Sequence, residues 1–90
     1  MTRNHRLAFN ALKKLNVPVY ERSDIKNFQI SAESNFDPRY GNTLWADYYE
    51  GYTIGDDWEF GVNPIITKTL SKYGLHAEWI NAGELGVYAD

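Results

Sequence analysis

The sequence predicts an α+β domain: an antiparallel sheet of four to five strands with two helices packed on one face, in the order α-β-β-β-(β)-α-β-β. Three observations predict it. Apolar residues recur at helical spacing between cap signals near both ends of the chain. The stretch between them and the tail after them alternate apolar and polar with period two. The strands come in runs rather than strictly alternating with helices, which is the pattern of an antiparallel sheet. Ninety residues suit one domain, 1–90, with one core.

The first helix starts at Thr2, an N-cap residue, and runs to Leu15. Leu7, Ala11 and Leu15 stack at spacing four, with Ala8 and Leu12 beside them. Lys13 and Lys14 complement the dipole at the end, Asn16 suits a left-handed stop, and Pro18 forbids continuation. Val17 then folds back onto Leu12. "VPVYE", residues 17–21, reads as a short strand, and Pro18 near its start assigns it to a sheet edge.

In "NFQISAES" the residues Phe28, Ile30 and Ala32 alternate with Gln29, Ser31 and Glu33, as in a half-buried strand. "NFDPRYGN" has loop composition. "TLWADYYE" alternates Leu44, Ala46 and Tyr48 with Trp45, Asp47 and Tyr49 and reads as a further strand. "YYEGYTIGDDWEFG" reads as a hairpin turning at Gly55, Asp56 and Asp57. The second helix is announced by "NPIITKTLSKYGL": Asn63 caps, Pro64 takes the first turn, Gly74 stops it, and Ile65, Ile66, Leu70 and Tyr73 form its buried face. "LHAEWI" and "ELGVYA" close the chain as a hairpin, with Gly83 at a bulged turn position. Helix, three strands and helix is an order that resembles the double-stranded-RNA-binding fold. The resemblance stops there, because such modules carry Lys at the start of the last helix, where "NPIITK" has only Lys68.

Function classes are narrowed by what is missing. With no Cys, disulfide scaffolds, Cys-bound zinc and thiol chemistry are excluded. No nucleophile elbow and no phosphate-cradling Gly-rich loop is present, so the sequence implies no cofactor and gives no positive sign of an enzyme. No stretch has the apolar length of a signal peptide or membrane span, which sets the expectation of a cytoplasmic protein with no membrane partner.

Charge is unevenly spread. Residues 1–26 hold six Lys or Arg against two acids, whereas residues 27–90 hold three against ten. Such a layout suits a partner of opposite sign or head-to-tail self-association. Aromatics make up 16% of the chain, more than so small a core readily hides. They concentrate in "WADYYEGYTIGDDWEF", residues 45–60, which has six aromatics, five acids and no Lys or Arg. The expected contact surface is Trp45, Tyr49, Tyr52 and Trp58, with Asp47, Glu50, Asp57 and Glu59 setting the sign of the partner. The expected role is a protein-interaction module, forming a homo-oligomer (a dimer) or binding a basic protein, with nucleic acid disfavoured by the acidic remainder.

Two other classes remain open on these residues. Acids near His76, which has Glu78 two residues on along the same strand face, suit a small carboxylate enzyme or a ligand- or cation-binding protein. The spaced acids of a calcium loop are absent, and two ligands make no zinc site. The five acids also fit, loosely, a nucleic-acid mimic that blocks a DNA-binding protein.

Overall fold

The computed structural model describes residues 1–49 and 57–90. It forms a four-stranded antiparallel sheet with two helices packed against it. Helix α1 spans Arg3–Lys14, and Thr2 caps it by accepting from the His5 N–H. It ends in a two-bond left-handed stop: Val17 N donates to Leu12 O and Asn16 N to Lys13 O, both at 3.1 Å, with Asn16 at φ 66°. The chain then enters strand β1 (Val19–Arg22), turns, and returns as β2 (Asn27–Ser31). Helix α2 (Pro64–Ser71) leads through Gly74, at φ 70° where a side chain would be strained, into β3 (Leu75–Asn81) and β4 (Glu84–Ala89).

The strands lie in the order β1-β2-β4-β3. β1 is therefore an edge strand, as Pro18 implied, and β3 is the other edge. Ile30 pairs with Val19 on one side and Leu85 on the other, and Ala77 and Trp79 pair with Val87 and Leu85. That register turns Phe28, Ile30, Leu85, Val87 and Leu75 toward the helices, where they meet Ala8, Phe9, Leu12, Ile66 and Leu70 in one core. The opposite face carries Tyr20, Arg22, Gln29, Glu84, Gly86, His76, Glu78 and Tyr88. Neither α1 nor α2 covers it, but its side chains shelter one another. Gln29 is buried because Tyr20 Oη and Arg22 Nη1 both donate to its Oε1, at 3.0 and 2.9 Å. Tyr88 lies across Gly86, where even a Cβ would strike the phenol ring.

Several expectations are corrected. Residues 43–49 form no strand, and among the described residues only two strands precede α2, an order that departs there from the double-stranded-RNA-binding fold. "TLWADYYE" forms no strand because the Asn35 side chain, not a neighbouring strand, bonds the backbone at Trp45 and Ala46. What holds them is the Asn35 side chain and one isolated bridge, Ala46 to Val62. The hairpin expected around Gly55 falls largely on residues 50–56, outside the described residues; its described ends at Tyr48, Tyr49, Asp57 and Trp58 are turn and irregular backbone.

Both helices are rotated from the expected phase. On α1 the buried side is Ala8, Phe9 and Leu12, leaving Leu7 and Leu15 exposed; on α2 Thr69 is buried and Ile65 exposed. In the last hairpin the irregularity sits in β3 between Trp79 and Asn81, not at Gly83, which is not left-handed.

Candidate binding site

The site forms where the second half of the 45–60 segment returns to the sheet beside β3. Asp47 N donates to Gly61 O at 2.8 Å and Asn63 N to Trp45 O at 2.9 Å, so the segment leaves and re-enters at one point. Asn63 ties that point to α2. Its Oδ1 accepts from Ile65 N at 2.9 Å as the helix cap, and its Nδ2 donates to Leu44 O at 3.0 Å.

Trp79 reaches from β3 toward the segment, and its indole Nε1 donates to Phe60 O at 2.8 Å. Tyr48 stacks edge-on against Trp79 at 5.2 Å between centroids, and Tyr49 against Tyr48 at 5.4 Å. Phe60 is 82% exposed and Tyr49 74%. Phe60 also holds φ 54°, a left-handed conformation that is an outlier for so bulky a residue. Backbone strain of this kind persists where the surroundings over-determine it, and it clusters at functional positions.

A cavity of about 460 Å³ opens beside these rings. Val62, Thr67, Ala77 and Trp79 line its inner part, and Phe60, Glu59, Glu78 and His76 complete it. Ala77 and Trp79 belong to the covered side of β3, His76 and Glu78 to the open side. The cavity therefore wraps around the free edge of the strand. Among the described residues no Lys or Arg lines it.

His76 is held from both sides: Nε2 lies 2.7 Å from Glu78 Oε2 and Nδ1 lies 2.7 Å from Asp90 Oδ1. Glu78 first, and Asp90 next, favour the imidazolium and raise its pKa above the ordinary value. Because folding raises this pKa, the contribution to stability is complete below pH about 6.5 and is lost as pH rises through the raised value. Thermal melts should therefore show the wild type most favoured over a Glu78→Gln/Asp90→Asn variant near pH 6, with the gap closing toward pH 9. A gap independent of pH contradicts the clamp.

The expected contact residues divide sharply. Trp45 is 2% exposed, with its backbone N–H and its Nε1 bound to Asn35 and Tyr40; it is core, and no part of an outer surface. The reason is the missing strand: without an open sheet face here, the ring turns inward beside Ala46 and Val62. Tyr49, Asp57 and Glu59 are exposed and Trp58 is half-buried. Asp47 accepts from Tyr49 N at 3.0 Å and holds that turn. Glu50 and Tyr52 lie outside the described residues. Tyr48, Phe60 and Trp79 were missed as partners of this surface, although the first two stand in the quoted segment and Trp79 is the one indole on an edge strand. Among the described residues no group of three or more His, Asp or Glu is placed to hold a metal ion. None of the helices there is long and apolar enough to cross a membrane.

The fold and site together define a small α+β domain with an aromatic, acid-edged groove at one sheet edge. No family model, curated protein or solved structure matches the chain.

Proposed function

We propose that the protein is a non-enzymatic interaction module that binds a basic protein partner in the groove between the 57–62 segment and β3. The observation that carries this is the pairing of exposed rings with acids at a groove that, among the described residues, no Lys or Arg lines. Phe60 and Tyr49 stand exposed beside Asp57, Glu59 and Glu78. Rings of this kind supply the apolar anchor of an interface and bind cations on their faces, while carboxylates at the rim steer a basic partner and fix its register. A two-fold contact with a second copy is the weaker alternative, because it would set these acids against themselves.

The test is calorimetric titration with an oligolysine peptide and an oligoglutamate control. The oligolysine should bind and the control should not. Phe60→Ala should weaken binding by about tenfold, roughly 1.4 kcal/mol. Asp57→Asn with Glu59→Gln should do the same and flatten the salt dependence. Equal binding of both peptides overturns the reading.

A second reading, ligand or acid–base chemistry at His76, has the cavity in its favour. Against it, both imidazole nitrogens already face carboxylates, so neither is free for a substrate.

A further inference from the structure

The edge of β3 bears on the form a partner would take. An edge strand turns every second N–H and C=O away from its neighbour. β3 pairs with β4 alone, and among the described residues no backbone or side-chain group bonds to its outer backbone. Among the described residues, the segment beside it meets β3 through the Trp79 side chain, by the indole bond to Phe60 O and the Tyr48 stack, and not through its backbone. Natural sheets blunt such edges with proline or with inward-pointing charge. β1 has Pro18 at its start, whereas β3 has neither proline nor inward-pointing charge, and its one irregularity, between Trp79 and Asn81, leaves Leu75–Trp79 in regular register.

We infer that β3 takes an extended, alternating basic and apolar segment of the partner as an added fifth strand. This rests on the proposed function and specifies its ligand. An added strand continues the pleat, so its side chains alternate between the two sides of β3. On the covered side they enter the cavity beside Val62, Phe60 and Trp79, which suits apolar residues. On the open side they meet Glu78, and the His76, Glu78 and Asp90 cluster carries a net negative charge even with the imidazole protonated. That side suits Lys or Arg. The β1 edge is a poor site for the same segment, since it spans only Val19–Arg22, its Val19 N–H is already bonded to Val17 O at 2.8 Å, and Arg22 stands on its open face.

The test uses a capped Lys-Val-Lys-Val-Lys-Val peptide, two versions N-methylated at one or the other alternate set of residues, and a version with Glu in place of Lys. Binding is read by calorimetry and by amide hydrogen exchange of the 15N-labelled protein. The unmodified peptide should bind and slow exchange at alternate amides of β3 by at least about tenfold. Methylating the set that faces β3 should cost at least about tenfold in affinity, while methylating the other set should be tolerated.

If both methylated peptides bind like the parent and β3 exchange is unchanged, strand addition is overturned and the basic-partner reading stands. If the Lys and Glu peptides bind alike, or neither binds, both fall. Protection that appears at β1 overturns the assignment. So does protection at β3 that rises with protein concentration without any peptide, which would mean that a second copy holds the edge.

Discussion

Trp45→Ala should destabilise the protein by about 3–5 kcal/mol, the range for deleting a buried large aromatic. Domains of this size hold only about 5–15 kcal/mol in total, so the variant should sit near its unfolding threshold. The ring is 2% exposed and lies in the same core as Ala46, Val62 and Ile66. Its loss opens a void at the point where the 45–60 segment joins the sheet and helix layers. Trp45→Phe separates the contributions: it keeps most of the apolar contact and leaves Tyr40 O without the indole donor at 3.0 Å. That change should cost about 1–3 kcal/mol. Urea unfolding followed by circular dichroism reads both. If Trp45→Ala unfolds at the wild-type midpoint, the ring is not in the core.

Asn35→Ala should cost about 2–4 kcal/mol, a large loss for a half-buried polar residue in a loop. Its Nδ2 donates to Ala46 O at 2.7 Å and to Ala32 O at 3.3 Å. Its Oδ1 accepts from Trp45 N at 2.9 Å and from Ala46 N at 3.3 Å. One amide thus satisfies backbone groups that a neighbouring strand would otherwise pair, and it substitutes for the strand that does not form. Removing it leaves buried N–H and C=O groups without partners, at about 1–3 kcal/mol for each such group left unmet. Asn35→Asp sets a carboxylate oxygen against the Ala46 and Ala32 carbonyls in place of the donor, so it should also destabilise, and more at neutral pH than at about pH 3. A change within about 0.5 kcal/mol, as at an ordinary surface position, contradicts the role.

These two residues also show where the sequence could and could not be read. The caps were legible because each signal is local: Thr2, Asn16 with Val17, Asn63 with Pro64, and Gly74 all act within a turn of their own position. The edge position of β1 followed from one physical fact, the missing N–H of Pro18. Helix phase was harder. The choice between the Leu7 and Ala8 sides of α1 depends on whether Phe9 has a partner, and that partner, Phe28, comes from β2, 5.4 Å away between centroids.

The non-strand at 43–49 was illegible for a similar reason. Alternation in "TLWADYYE" is real, yet Asn35, ten residues earlier than Trp45, occupies its backbone. The charge layout was half legible. Arg6 pairs with Glu21 and Arg22 with Asp24, so part of the basic amino-terminal charge is met within its own region, while Asp57 and Glu59 sit exposed by the rings. The rings themselves were visible as a surplus. Which of them would stay outside was not, because that depends on the path of a segment with little regular structure.

A groove built for a partner requires that Phe60 and Tyr49 contribute little to holding the fold together and stay exposed. Equilibrium urea unfolding of a Phe60→Ser/Tyr49→Ser variant tests it most directly. Stability within about 0.5 kcal/mol of the wild type is the predicted result. A loss above about 2 kcal/mol would show that these rings are packed in the native state, and the surface proposed for binding would not exist.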